Sequence, residues 1–179
     1  MSYFSRIFKT GAVRKTPARI IKRIIAEIPS RNGLEILELG AGKGEITIPL
    51  ANLLRNQHPE SRFYAIELEK DFADELKRTI PVTTVLQGNA LDFPKLVPED
   101  PQYDLIISSM PLSFFKKSEK ETLFLNMKAR LKPGGKILIL YHAAWLGSSM
   151  KSLFSGGRVL SFATIPPYFL YIYNHESKA

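Results

Sequence analysis

The sequence predicts an α/β protein with a Rossmann-like, doubly wound sheet of seven mostly parallel strands, preceded by an amphipathic helical arm. Three observations carry this prediction. A short apolar strand at residues 36–39 runs directly into a glycine-rich turn and then into a helical pattern. Apolar segments typical of buried strands then alternate with helical segments, as in parallel sheets. Residues 1–26 are basic and have a helical spacing of their own.

The elements are expected in alternating order within a single domain, 1–179, made of an arm over 1–30 and a catalytic core over 33–179. Strands are predicted at residues 36–39, 62–67, 82–86, 103–108, 137–141, 158–164 and 168–173. Helices are predicted directly after the glycine turn and at residues 17–28, 70–79 and 117–131. The proline-rich segment 94–101 is expected to be a loop, residues 132–135 a turn, and the last two strands a hairpin.

Charge is concentrated in the arm. The chain has a net charge of +8, and residues 1–26 hold seven of its 25 Lys and Arg and none of its 17 Asp and Glu. In the helix at 17–28, Thr16 is the expected N-cap, the isoleucines share one arc that packs on the sheet, and Glu27 lies on the opposite, solvated arc with the cations. Residues 3–9 place aromatic side chains beside cations, which favours contact with a membrane or a substrate.

Composition excludes several classes of protein. An apolar content of 45% with 23% charged residues is typical of a globular domain. The absence of cysteine excludes disulfides, thiolate catalysis and Cys-ligated zinc, and no metal site is predicted. Neither a membrane-spanning run nor a signal-peptide core is visible, so a cytoplasmic location is expected.

The glycine turn carries the first resemblance to a known family. Residues 38–44 read Glu-Leu-Gly-Ala-Gly-Lys-Gly, an acid followed by three alternating glycines. This pattern resembles motif I of the class I methyltransferases that use S-adenosylmethionine (SAM). The resemblance implies that Glu38 lies near the methionine amino group, and that the loop of Gly40, Ala41, Gly42 and Gly44 makes room for the cofactor.

Three further positions match the same family. Glu67 ends the second strand, where the resemblance implies an acid that accepts both ribose hydroxyls, and Leu68 follows it to pack on the adenine. Asn89 follows the third strand and is expected to hold the adenine amino group, with the backbone N–H of Ala90 beside it. Asp92 is a second choice for that contact.

Four segments together resemble one branch, the bacterial phospholipid N-methyltransferases. They are Lys9–Val13, Glu38–Gly44, Ser108–Leu112 and Ile165–Tyr168. Family members often carry Pro-Ser-Ser after the first segment; this chain has Arg-Lys-Thr-Pro there, and Thr16 is the nearest match for a cofactor contact. Ser108 and Ser109 end the fourth strand, at the motif IV position where acceptor and methyl group meet.

The resemblance implies methyl transfer from SAM to the amine of phosphatidylethanolamine, toward phosphatidylcholine, with S-adenosylhomocysteine as the second product. The arm would then bind the anionic inner face of a membrane, and no nucleic acid partner is expected. An amine must be neutral to attack, and aromatic faces stabilise methylated ammonium groups. The candidates for these roles are Tyr141, His142, Tyr168 and Tyr171. The oligomeric state is left open.

Three alternatives remain at this point. The basic arm also suits an RNA adenine N-methyltransferase, but such enzymes carry Asn or Asp where this chain has Ser108, and an aromatic residue where it has Leu112. A small-molecule amine methyltransferase would not need residues 1–9. A membrane-associated protein with a degenerate SAM pocket would bind lipid without turnover.

Overall fold

The computed structural model describes residues 15–100 and 102–176, which form a seven-stranded sheet with helices on both faces. The strands are β1 (Glu35–Leu39), β2 (Arg62–Glu67), β3 (Thr84–Gln87), β4 (Tyr103–Ser108), β5 (Leu131–Tyr141), β6 (Arg158–Phe162) and β7 (Tyr168–Asn174). The α-helices are α1 (Ala18–Ile25), α2 (Thr47–Gln57), α3 (Lys70–Thr79), α4 (Phe93–Leu96), α5 (Lys117–Ala129) and α6 (Leu146–Phe154). Short 3₁₀ helices cover Ala90–Asp92 and Leu112–Phe114.

The strand order is β3-β2-β1-β4-β5-β7-β6. Strands β1 to β5 are parallel to one another, and β7 is antiparallel to both β5 and β6. The winding reverses between β1 and β4, and open α/β sheets bind ligands at the carboxyl ends of the strands beside such a reversal. The predicted fold class is confirmed, and the glycine turn after β1 lies at this position.

Each face of the sheet has its own core because successive side chains of a strand point to opposite faces. Leu37 and Leu39 of β1 belong to the cluster that packs against α5 and α6. Ile36 belongs to the other cluster, with Ile20 and Ile24 of α1. The isoleucine arc of the arm helix therefore packs on the sheet, as its spacing predicts.

Several element boundaries differ from the sequence prediction. Strand β5 begins at Leu131, so residues 132–135, predicted to form a turn, lie within the strand. They shift its register with β4: Tyr103 pairs with Leu131, but Leu105 pairs with Lys136. Helix α5 ends two residues earlier than predicted, at Ala129. Strand β3 lies at Thr84–Gln87, slightly later than expected.

Two α-helices were not predicted. Helix α4 lies partly within the segment expected to be a loop, and its proline is in the first turn, where a missing N–H costs no hydrogen bond. Helix α6 follows β5 closely and buries Leu146, Met150 and Phe154 against the sheet. Its sequence has one charged residue, so the contrast between polar and apolar faces that would predict a helix is weak.

The arm helix differs from expectation at both ends. Pro17, rather than Thr16, occupies the N-cap position, and no side chain caps the helix. Glu27, expected on the solvated arc, is buried and only 4% exposed. The interface predicted for residues 3–9 lies outside the described residues.

Glu27 is buried because cations from three elements surround it. Lys136 of β5 donates to Glu27 Oε2 at 2.9 Å and to the Glu27 carbonyl oxygen at 3.1 Å. Arg158 of β6 donates to Oε1 at 2.8 Å, and Arg23 of α1 also pairs with Oε1. Burial alone would raise the pKa of Glu27, but the hydrogen bond and charge of Lys136 and the two arginines outweigh it and lower the pKa. The carboxylate therefore fixes the end of the arm helix to the sheet.

No helix in the described part of the chain combines the length and the apolar character that crossing a bilayer requires.

We expect Glu27→Gln to destabilise the fold by about 1–3 kcal/mol at neutral pH, because it leaves three cations around a neutral amide. The wild-type carboxylate has a pKa below its ordinary 4.5. Its stabilising contribution is therefore present above about pH 4.5 and is lost as the pH falls through the lowered folded-state value. Urea unfolding at neutral and acidic pH measures both effects. A stability difference between wild type and variant that stays constant down to pH 3 would contradict this account.

Candidate active site

The glycine loop after β1 is held in place by the end of β2. The backbone N–H groups of Gly40 and Ala41 both donate to the Ile66 carbonyl oxygen, at 2.9 and 3.0 Å. The N–H of Gly42 donates to Glu67 Oε2 at 2.7 Å. Gly40, Gly42 and Gly44 have φ values of +83°, +56° and +83°, a region that side chains disfavour.

The three glycines are needed for different reasons. A Cβ at Gly40 would lie 2.8 Å from Met110 Cγ, and a Cβ at Gly44 would lie 2.6 Å from Leu76 Cδ2. A Cβ at Gly42 would meet nothing within 4 Å. All three were predicted to make room for a ligand; only Gly42 faces open space, whereas Gly40 and Gly44 allow close packing inside the protein.

Glu38 lies beside this loop in a fully buried position. Its carboxylate, the Thr47 hydroxyl and the Ser108 hydroxyl are all buried, and none makes a hydrogen bond of normal geometry with another described residue. Burial raises the pKa of Glu38 to about 8; the nearby Thr47 hydroxyl opposes this shift and the charge of Glu67 adds to it. Buried polar groups without partners are rare and require an explanation.

Glu67 already has a structural task. Its Oε2 accepts from Gly42, and its Oε1 accepts from the backbone N–H of Glu69 at 2.8 Å. Burial raises the pKa of Glu67, while the hydrogen bonds from Glu69, Gly42 and Leu68 oppose the shift. Each carboxylate oxygen has a second lone pair, so contact with a ligand hydroxyl remains compatible with this arrangement.

The ends of β2 and β3 form a continuous wall beside the loop. The Leu68 carbonyl oxygen accepts from Gln87 Nε2 at 2.9 Å, and the Glu67 carbonyl oxygen accepts from the N–H of Gly88 at 2.9 Å. Asn89 is exposed, and its Oδ1 caps the following 3₁₀ helix by accepting from the Leu91 N–H at 3.0 Å. The residues predicted to hold a ribose and an adenine are thereby neighbours, with Ala90 buried behind Asn89.

The start of the arm helix reaches the glycine loop. The backbone N–H of Thr16 donates to Glu45 Oε2 at 2.7 Å, and Glu45 directly follows Gly44. Thr16 is thus near the predicted site, although its N–H and not its hydroxyl makes this contact. Glu45 was missed because no motif residue marks it.

The end of β4 touches the glycine loop. The Ser109 hydroxyl donates to the Gly40 carbonyl oxygen at 2.7 Å, and the Ser109 N–H donates to the Leu39 carbonyl oxygen at 3.2 Å. Ser108, directly before it, is fully buried. The predicted acceptor segment and the predicted cofactor segment are therefore in direct contact.

Two of the four candidate catalytic residues meet at the carboxyl edge of the sheet. The ring centroids of His142 and Tyr168 are 4.0 Å apart, and His142 Nδ1 lies 2.8 Å from the Pro167 carbonyl oxygen. A carbonyl oxygen only accepts, so Nδ1 carries the hydrogen in this contact, and Nε2 of the neutral ring is an acceptor. His142 is exposed.

Tyr168 is 5% exposed, and the other two candidates are also buried in the core. Tyr171 is fully buried, its hydroxyl donates to the Gly156 carbonyl oxygen, and burial raises its pKa to about 12. Tyr141 is 3% exposed and stacks on Phe169, and burial raises its pKa as well. Tyr171 and Tyr168 are three residues apart in β7 and therefore face opposite sides of the sheet.

Comparison with known proteins identifies the family. A family model described as "Methyltransferase domain" matches residues 36–135, which is more than half of the chain. The chain belongs to this family. It is a SAM-dependent methyltransferase, as its cofactor loop predicts.

The methyltransferase is similar to two kinds of curated protein. It is 26% identical over 153 residues to an ornithine lipid N-methyltransferase from Singulisphaera acidiphila, covering 80% of this chain and 78% of the relative. It is 37% identical over 87 residues to a probable ribosomal RNA small subunit methyltransferase A from Pyrobaculum islandicum, covering 48% of this chain. The chain spans about a third of that relative, 32% of its length.

Solved structures of low sequence identity share the fold. A TehB-like SAM-dependent methyltransferase from Corynebacterium glutamicum superposes with a TM-score of 0.66 at 18% identity, covering 98% of this chain and 96% of that one.

The residues of the site fit the cofactor. SAM carries a sulfonium and an ammonium, and the buried Glu38 carboxylate without a partner suits a cationic ligand. The open side of Gly42 permits close approach to the backbone. Glu67, Leu68 and Asn89 stay the predicted contacts for the adenosyl part. Thr47, at the start of α2, is a further polar group of this site that the sequence did not reveal.

We expect Gly42→Val to weaken SAM binding at least about tenfold while the fold persists, because the side chain enters the open space of the loop. Gly44→Val is the matched control, since it carries the same left-handed backbone strain. Gly44→Val should lower the free energy of unfolding by at least about 2 kcal/mol more than Gly42→Val does, because its side chain overlaps with Leu76 and Ile48. Calorimetric titration and thermal unfolding separate the two. Unchanged SAM affinity in Gly42→Val would refute the assignment of this loop.

We expect SAM affinity to rise with pH up to about pH 8, because the cation requires ionised Glu38, whose pKa in the ligand-free protein is about 8. Binding should release a proton, which titrations in buffers of different ionisation enthalpy detect.

Since the folded state raises the pKa of Glu38 above its ordinary 4.5, the wild type should lose stability as pH rises from about 4.5 to 8. Glu38→Gln should abolish most of that loss and bind SAM more weakly. A variant that is both less stable at pH 8 and normal in SAM binding would contradict the assignment.

Proposed function

We propose that this methyltransferase methylates the primary amine of a membrane lipid headgroup, of the phosphatidylethanolamine or ornithine-lipid type. The observation that carries the proposal is the similarity to an ornithine lipid N-methyltransferase along about four-fifths of both chains, whereas the RNA-related similarity covers half of this chain. Both headgroups present an aliphatic amine, and this shared chemistry defines the substrate class.

The acceptor segment supports an aliphatic amine over a nucleobase. Bases taken out of a duplex are held by stacking on aromatic or apolar side chains and by hydrogen bonds to their edges. At the position where base-methylating enzymes have an aromatic residue, this chain has Leu112, which is 1% exposed and packs in the core. Ser108 replaces their Asn or Asp, and its hydroxyl is buried. This segment therefore offers neither the ring nor the polar side chain that base chemistry uses.

His142 is the residue best suited to prepare the amine. Bound SAM supplies an activated methyl group, which an amine lone pair takes up as the carbon–sulfur bond breaks. The amine attacks only when neutral, so a nearby acceptor that removes its proton accelerates the reaction. With Nδ1 held by the Pro167 carbonyl oxygen, the Nε2 lone pair of His142 is available for this proton. The Tyr168 ring is 5% exposed and packs against the His142 ring, so it supports the position of the imidazole.

Methylation of ribosomal RNA is the second candidate. The 37% identity to a probable ribosomal RNA methyltransferase favours it, as does the basic arm.

The test supplies labelled SAM with four acceptors: phosphatidylethanolamine vesicles, ornithine-lipid vesicles, phosphoethanolamine in solution, and small-subunit ribosomal RNA. We expect label in one or both lipids. Label only in phosphoethanolamine would indicate a small-molecule enzyme, and label only in RNA would establish the second candidate.

Within the lipid assay, His142→Asn should lower kcat at least about a hundredfold with SAM affinity unchanged, because the amide retains a donor for Pro167 but lacks the basic Nε2 nitrogen that takes up a proton. His175→Asn is the matched control: this second histidine also contacts a backbone carbonyl oxygen, that of Lys132, at 3.1 Å. Its activity should stay within about twofold of the wild type. Equal activities of the two variants would remove His142 from the mechanism.

A further inference from the structure

Exposed apolar side chains gather at the edge of the sheet where the acceptor would bind. Among the described residues, Phe114, Trp145 and Ile165 are 51%, 57% and 88% exposed. Phe114 follows β4, Trp145 follows β5, and Ile165 precedes β7, whose start pairs with the end of β5. All three therefore lie at the carboxyl edge of the parallel strands, and we call them the acceptor-edge rim.

Specific contacts make the three loops of the rim neighbours. Lys120 Nζ donates to the Phe115 carbonyl oxygen at 2.9 Å and lies 5.3 Å from the centroid of the Trp145 ring, so it joins the first loop to the second. The contact between His142 and the Pro167 carbonyl oxygen joins the second loop to the third.

The arm helix begins at the same edge. Arg19 Nη2 donates to the Ala163 carbonyl oxygen at 2.6 Å, which joins α1 to the loop that carries Ile165. The Arg19 side chain thus connects the arm helix to the rim, beside the predicted acceptor site.

The charges around the rim are mostly positive. Arg19 of α1 reaches the loop that carries Ile165, and Lys120 lies over the Trp145 ring. At the start of α5, Lys116, Lys117 and Lys120 face two acids, of which Glu119 accepts from the Lys116 backbone N–H and Glu121 pairs with Lys117. Exposed apolar side chains within a cationic surface match the boundary of an anionic bilayer, where apolar groups reach the acyl chains and cations stay with the headgroups.

We propose that the acceptor-edge rim is a membrane-contact surface that inserts into an anionic bilayer and sets the height of the catalytic edge over the lipid headgroups. This inference rests on the proposed lipid function and gives it a second contact besides residues 1–26. The exposed groups of the rim are apolar and do not pair with phosphates. They therefore suit a bilayer better than a nucleic acid, whose contacts with proteins are largely to phosphates.

Trp145 is the single tryptophan of the chain, so its fluorescence reports directly on the rim. The full-length protein is mixed with phosphatidylcholine vesicles with and without phosphatidylglycerol, and with vesicles whose acyl chains are brominated. We expect a blue shift of the emission that requires phosphatidylglycerol, and quenching by the brominated chains. Unshifted and unquenched emission from vesicle-bound protein would overturn the proposal, as would a blue shift without vesicles that grows with protein concentration, which indicates self-association.

Ile165→Asp tests the rim by mutation, with Leu125→Asp as the matched control. Both side chains are exposed and both changes add one negative charge, but Leu125, 58% exposed, lies about 12 Å beyond Lys117 along α5, away from this edge. We expect Ile165→Asp to weaken vesicle binding at least about tenfold, and Leu125→Asp to change it less than about threefold. Equal effects of the two substitutions would refute a specific role of the rim.

Methylation of the same lipids in neutral detergent micelles separates this proposal from the proposed function. Ile165→Asp should retain micellar activity and lose activity on vesicles. Micellar activity in the wild type together with unaltered vesicle binding by Ile165→Asp would overturn the rim alone. Insertion of Trp145 without methylation of either lipid in micelles would overturn the lipid function and leave the rim as a membrane contact.

Discussion

The hydrogen bond between the Gly42 N–H and the Glu67 carboxylate is the constraint on which the site depends. It closes the glycine loop against the end of β2, together with the two N–H groups that share the Ile66 carbonyl oxygen. Because Glu67 also accepts from Glu69, one side chain fixes both the loop after β1 and the turn after β2. The open side of Gly42 and the wall formed by Leu68 owe their relative positions to this carboxylate. Removing it would therefore disturb the geometry of the site as well as any direct ligand contact.

Two buried glutamates illustrate opposite uses of the same residue type. Glu27 is surrounded by cations, its pKa is lowered, and it attaches the arm helix to the sheet. Glu38 is buried deeply with a pKa raised to about 8, and no described residue neutralises its charge. A carboxylate in that state lowers stability, and it persists at functional sites where a ligand supplies the missing partner. Glu38 is therefore the acid that we predict to lie near the cationic cofactor.

The sequence predicts most of the framework because the strands and helices depend on local signals, and the predicted cofactor residues follow those strands. The strand Arg62–Glu67 and the helix Lys70–Thr79 match the structure at both ends, since apolar runs and helical spacing mark them clearly. Glu27 was misplaced because a helical wheel does not contain Lys136 and Arg158, which come from strands more than a hundred residues away. Tyr171 was grouped with Tyr168 before strand parity could separate them. Partners that come from distant strands therefore limit what a helical pattern alone predicts about the burial of a charged side chain.

The contact between the end of β4 and the glycine loop limits how such enzymes can diverge. The Ser109 hydroxyl binds the Gly40 carbonyl oxygen, and Met110 fills the space that a side chain at Gly40 would need. Any inherited change that moves the backbone at these positions also displaces the loop that serves the donor. New acceptor preferences must therefore arise farther out, in the side chains that follow Leu112, in the loop before α6 and in the loop between β6 and β7. The contacts between β4 and the glycine loop therefore constrain the inner half of the site more than the outer loops.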